Sequence, residues 1–158
     1  MHPAPEAQHP NEAPSERRRV VVGVDGSKSS VDALLWARLM ATTLDAEIEA
    51  ITTWQYPTSY VASGWLADWD PSKDAATALT DTLHLAYGDE RPAGLTTVVV
   101  EGHPANILVD ASSNAELLVV GSRGHGGFVG LLIGATSSHC AEHAACSVLV
   151  AHDAPRTS

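Results

Sequence analysis

The chain has 158 residues, 44% of them hydrophobic and 18% charged, which is enough for one domain with a buried core. Its formal net charge is −10, and residues 1–19, with Glu6, Glu12 and Glu16 against Arg17, Arg18 and Arg19, contribute none of it. So acidic a remainder argues against nucleic acid and anionic membrane as partners, since both would be repelled.

Residues 1–18 read as a disordered N-terminal tail, with four prolines and almost no large apolar side chain. The expected domain runs over 19–153, and 154–158 form a short C-terminal tail. Met1 to Pro14 lack the apolar core of a secretory signal, and no apolar run reaches the ~18–20 residues of a membrane span. Cys140 and Cys146 show no metal or disulfide spacing. A cytoplasmic location is therefore the expectation.

Order begins at Arg19-Val20-Val21-Val22-Gly23-Val24, a continuous apolar run of the kind buried on both faces of a sheet. Ser27 is placed to cap a helix over about 28–43, whose apolar face is expected at Val31, Leu34, Leu35 and Leu39. A second strand is expected over 46–54, weakened in pattern by Glu47, Glu49 and Thr52. The connection 55–70 is rich in aromatics, Tyr56, Tyr60, Trp65 and Trp69, and follows Trp54 directly. It reads either as packing over the sheet edge or as a lid or docking patch. Pro71 and Ser72 open a helix to about Tyr87, with Ala75, Ala78, Leu79, Leu83 and Ala86 inward. Leu95 to Val100 is a third strand, strongly β-favouring. Pro104 opens a short helix with Ile107, Leu108 and Ala111 inward. A fourth strand is expected over 115–120, then a glycine-rich loop, a helix from about Ser137 to Ala145, and a fifth strand over 147–151. Strands alternating with helices predict an open parallel sheet with helices on both faces. Ligands then bind at the carboxyl ends of the strands.

The glycine loop carries the chemistry. Gly121, two residues, Gly124, nine residues and Gly134 follow a buried strand and lead into a helix. Backbone N–H groups and a helix N-terminus in that setting favour an anion such as phosphate. No Gly-Lys-Ser/Thr closes the loop, so it is not a Walker A loop. The first strand is followed by Asp25-Gly26-Ser27, so it is not the dinucleotide fingerprint either.

This spacing resembles the ATP-binding motif of the universal stress protein family. The blocks VGVDGS at 22–27, GHPA at 102–105, LLVVGSRGHGG at 117–127 and HAACSVLV at 143–150 carry the same resemblance, which covers the chain from about Arg19 to Ala151. It implies a Rossmann-like sheet of five parallel strands in the order 3-2-1-4-5. It implies that Gly23 and Val24 line the adenine pocket, that Thr53 offers backbone groups to the base, and that Val120 packs near ribose and base. Asp25 is implied as a contact to ribose or phosphate and as the ligand of an accompanying Mg²⁺ or Mn²⁺. Gly121 and Gly124 are implied as the places where the chain approaches the phosphates. Gly134, Ala135 and Thr136 are implied as N–H donors, with Ser137 adding a hydroxyl. Ala135 departs from the Ser or Thr usual in the family, which removes one hydroxyl and leaves ATP versus AMP open. Arg123 is the only basic side chain, histidines aside, between Asp110 and Val150. The resemblance further implies a homodimer through the last strand and a binding and signalling role rather than catalysis. A slow ATPase, or an interaction module that binds no nucleotide, are the alternatives. His139, Cys140, His143 and Cys146 are weighed as zinc ligands and set aside, because His143 and Cys146 fall where the family has its usual helix-to-strand turn and no carboxylate ligand is obvious. His103 and His125 are read as loop residues near the site.

Overall fold

A computed structural model describes residues 17–64, 68–124 and 133–156. Trp65, His125, Gly126 and Gly127, and the expected tails apart from residues 17, 18 and 154–156, lie outside the described residues. The elements run β1 (Arg19–Gly23), α1 (Lys28–Leu44), β2 (Glu47–Trp54), α2 (Thr58–Ser63), α3 (Pro71–Tyr87), β3 (Thr96–Glu101), α4 (Pro104–Ser112), β4 (Leu117–Gly121), α5 (Ala135–His143) and β5 (Ser147–Ala151). The five strands form one parallel sheet in the order β3-β2-β1-β4-β5. This is the order expected from the resemblance.

Strand periodicity divides the core. Val20 and Val22 of β1, with Ile48 and Ala50 of β2, face α1 and α3, where Leu34, Leu79 and Leu83 complete a buried cluster. Val21, Ile51, Leu118 and Val120 face the opposite way, toward Leu108 of α4 and Cys140 of α5. The central β1 and β4 are buried through their middle residues, whereas β3 is exposed along most of its length.

The polar residues that blur β2 all have partners. Glu47 pairs with Arg17, Glu49 pairs with Arg19 at 2.5 Å, and the Thr52 hydroxyl donates to the Val24 carbonyl at 2.7 Å. The two arginines enter from the start of β1 and its preceding residues, so β2 is stitched to β1 from the side.

Three expectations need correction. The inward face of α1 is formed by Ser30, Ala33, Leu34, Ala37 and Ala41, while Leu39 is 44% exposed and Val31 and Leu35 are only partly covered. Small side chains let the helix lie close to the sheet, and close approach outweighs a leucine count. The connection 55–70 after β2, read from the sequence without an element of its own, contains the short helix α2. The last helix also starts earlier than expected, at Ala135.

Candidate functional site

The carboxyl ends of β1, β2 and β4 frame a cavity of about 660 Å³. At the end of β1 the chain leaves the sheet under tight control. Val24 N–H donates to the Ile51 carbonyl at 2.9 Å, and the Asp25 N–H donates to Ser30 Oγ at 2.9 Å. Asp25 Oδ1 accepts from the Ser27 N–H at 3.0 Å and from the Ser27 and Ser30 hydroxyls at 2.5 Å each. The Asp25 carboxylate is thus held in one orientation at the entry to α1. Ser27 is the N-cap of that helix, accepting from the Ser30 N–H at 3.3 Å.

The glycine loop is pinned at both of its described ends. Ser122 N–H donates to the Ala151 carbonyl at 2.9 Å, and the Ser122 carbonyl accepts from the Gly134 N–H at 2.7 Å. Ser29 donates its hydroxyl to the Arg123 carbonyl. Gly121 has no room for a side chain, since a Cβ there would stand 2.5 Å from Ser29 Oγ. A Cβ at Gly124 would stand 2.8 Å from Asp25 Oδ2, so the loop passes directly against that carboxylate.

Gly134 is the N-cap of α5 and has extended backbone with no side-chain cap hydrogen bond. The Ser138 N–H already bonds to the Gly134 carbonyl at 3.0 Å. The N–H groups of Ala135, Thr136 and Ser137 precede that first intrahelical bond and are the ones a helix start offers to a ligand. The Ser137 hydroxyl, read from the sequence as a phosphate donor, donates instead to the Gly121 carbonyl at 3.0 Å and is nearly fully buried. Its hydrogen is committed to joining α5 to β4.

All twelve residues singled out in the sequence lie on the wall of this cavity: Gly23, Val24, Asp25, Thr53, Val120, Gly121, Arg123, Gly124, Gly134, Ala135, Thr136 and Ser137. The wall also contains Ser30, Ile51, Thr52, Trp54, Gln55, Ala75, Ala78, Gly102, Pro104 and Leu108, which sequence reasoning did not assign to a site. Ala75, Ala78 and Leu108 were legible only as inward helix positions, because nothing local distinguishes an alanine facing a core from one facing a cavity. Among the described lining residues Asp25 is the one carboxylate and Arg123 the one cationic side chain. Asp25, the Arg123–Gly124 turn and the start of α5 form one polar part of the wall, and Ala75 and Ala78 of α3 and Leu108 of α4 add apolar side chains to the rest of it.

The histidine and cysteine group of α5 is separate. The His139 and His143 rings lie tilted at 46° with centroids 4.4 Å apart, and Cys140 is buried with its thiol pushed up to about 11 by desolvation. Among the described residues no group of three or more histidine, cysteine or acidic side chains is arranged to hold a metal. No helix among them is long and apolar enough to cross a membrane.

The chain is 34% identical over 147 residues to the universal stress protein Rv2623 of Mycobacterium tuberculosis (strain H37Rv), covering 92% of this chain and 47% of that protein. It spans about half the length of such curated relatives. Among solved structures, the universal stress protein UspA of Lactobacillus plantarum matches with a TM-score of 0.69 and 21% identity, over 86% of this chain and 98% of that one. A universal stress protein solved in complex with cAMP matches with a TM-score of 0.60 and 25% identity, over 89% of this chain and all of that one. The family model for universal stress proteins matches residues 16–152. Sheet order, glycine loop and sequence match agree, and the chain belongs to the universal stress protein family.

Proposed function

We propose that the cavity binds an adenine nucleotide, ATP by the spacing of its glycines, and that the protein works as a nucleotide-dependent stress or signalling module without fast turnover. The observation that carries this reading is the convergence of all twelve motif residues, drawn from β1, β2, β4, the loop and α5, on one cavity of about 660 Å³. That volume lies within the range of about 300–1,000 Å³ usual for small-molecule sites. Phosphates fit the polar part, where backbone donors of α5 and Arg123 meet Asp25. The base fits against the apolar part of the wall. The related protein solved with cAMP supports a nucleotide in this family's fold.

Asp25 suits a divalent ion as well. Mg²⁺ is commonly held by one or two carboxylates together with substrate phosphates and water, and the cavity wall offers one oriented carboxylate beside the phosphate end. Bound there, the ion would supply charge neutralisation in a chain of net charge −10. Arg123 as the single cation of the described wall favours binding over fast phosphoryl transfer, which uses several charged clamps. A cytoplasmic protein pairing through the edge strand β5 completes the reading, since β5 lies at one margin of the sheet.

Calorimetric titration with ATP and Mg²⁺ tests it. Saturable binding of one nucleotide per chain is expected, and EDTA is expected to weaken it. No binding of ATP, ADP or AMP by the folded protein would sink the nucleotide reading, and an affinity indifferent to EDTA would remove the metal from it.

A further inference from the structure

The aromatic residues after β2 form a continuous ladder, and its inner end is on the cavity wall. Trp54, the last residue of β2, lines the cavity and is the one aromatic among the described lining residues. Its backbone is fixed, with the Trp54 carbonyl accepting from the Gly102 N–H at 3.0 Å. Its ring meets Tyr56 edge-on, with centroids 5.4 Å apart at 87°. Tyr56 in turn meets Trp69 at 6.1 Å and 82°, and Tyr60 of α2 lies against Trp69 at 4.8 Å. The outer end is tied down as well, because Trp69 Nε1–H donates to Asp74 Oδ2 at 2.8 Å, in the first turn of α3. The same helix contributes Ala75 and Ala78 to the cavity.

Edge-to-face ring pairs and one hydrogen bond therefore connect Trp54 on the cavity wall to α3. A ladder that served only to cover the sheet edge would have no need to end in the cavity wall. Resting on the adenine-nucleotide reading above, we propose that Trp54 is a specificity-determining residue that contacts the planar base of the nucleotide, and that Tyr56 and Trp69 are positioning residues for it. The base gains a π-face from the one aromatic of the described wall, and the phosphates stay with the α5 end.

Aromatic stacking on a base typically changes affinity about five- to a hundredfold on truncation. Trp54→Leu, which keeps apolar bulk without a π-face, is expected to weaken ATP at least about fivefold in calorimetry, while Trp54→Phe stays within about threefold of the parent. Both variants should melt at the same temperature as each other without nucleotide. Trp69→Phe keeps the ring but removes the donor to Asp74, and it is expected to weaken ATP about two- to tenfold from outside the cavity, through lost pre-organisation of Trp54. ATP bound by Trp54→Leu as tightly as by the parent would overturn the proposal. Equal losses in Trp54→Leu and Trp54→Phe would leave Trp54 a packing role only and overturn it too. If either Trp54 variant fails to fold, Trp69→Phe decides, and parent-like ATP affinity there would refute the ladder. A parent protein that binds no adenine nucleotide would instead refute the nucleotide reading itself, and this proposal with it.

Discussion

Gly121 shows how one residue serves two purposes. It lies on the cavity wall, and the space its side chain would need is filled by α1, with Ser29 Oγ at 2.5 Å and the Ser29 carbonyl carbon at 2.8 Å from an ideal Cβ. A hydroxyl can swing away, but the backbone of a capped helix cannot. Gly121→Ala is therefore expected to destabilise the fold by about 1–3 kcal/mol, as overpacking does. At Gly134 the nearest atom to an ideal Cβ is 3.4 Å away, so Gly134→Ala should cost less. Urea unfolding of the two variants checks this, and the reverse order would refute the packing account. The glycine pattern was readable in the sequence, but the reason for Gly121 was not, since Ser29 is distant along the chain and meets it only through the β1–β4 pairing.

α1 is an element whose existence the sequence shows and whose orientation it hides. A leucine count points to Val31, Leu34, Leu35 and Leu39, yet Ala33 and Ala37 are fully buried and Leu39 stands out in solvent. The sheet beneath is already filled with valines, so the helix gains more by coming close than by adding bulk. Ala37→Leu is expected to lose about 1–3 kcal/mol by overpacking, whereas Leu39→Gln should stay within about 0.5 kcal/mol of the parent. Thermal melts of both variants test the orientation, and a larger loss at Leu39 would show that the apolar-face reading was right after all. The opposite case is β2, whose acidic residues made it look weak. Arg17 and Arg19 pair with Glu47 and Glu49 across the sheet, and such partners cannot be seen along one strand.

At the scale of the whole molecule, the core is built to hold two neutral groups that would ionise in alkali. Cys140 is fully buried, and desolvation raises its thiol from 9.0 to about 11. Tyr87 is buried with its hydroxyl donating to the Leu34 carbonyl at 2.6 Å, and burial raises it well above its ordinary value against a small opposing pull from Arg38. Both native values are raised, so the folded state holds these protons after the unfolded chain has released them. The stability linked to Cys140 is complete below pH 9, declines as the unfolded thiol ionises, and is gone above about pH 11. The Tyr87 contribution starts to decline near pH 10. Unfolding midpoints are expected to be flat from pH 7 to 9 and to fall beyond it, with a shallower fall between 9 and 11 in Cys140→Ala. Parallel pH profiles for parent and variant would count against Cys140 as a cause.

The alternation of strands and helices was legible along the chain, and the glycine spacing marked one side of the candidate site. Both are encoded locally: strand and helix periodicity repeat within a few residues, and the loop occupies one short stretch. The rest of the wall was settled by the fold. Trp54, Ala75, Ala78, Pro104 and Leu108 close the cavity from other elements. Each looks along its own element like an ordinary strand end or inward helix position, and becomes a wall only when the parallel sheet gathers the ends of its strands together.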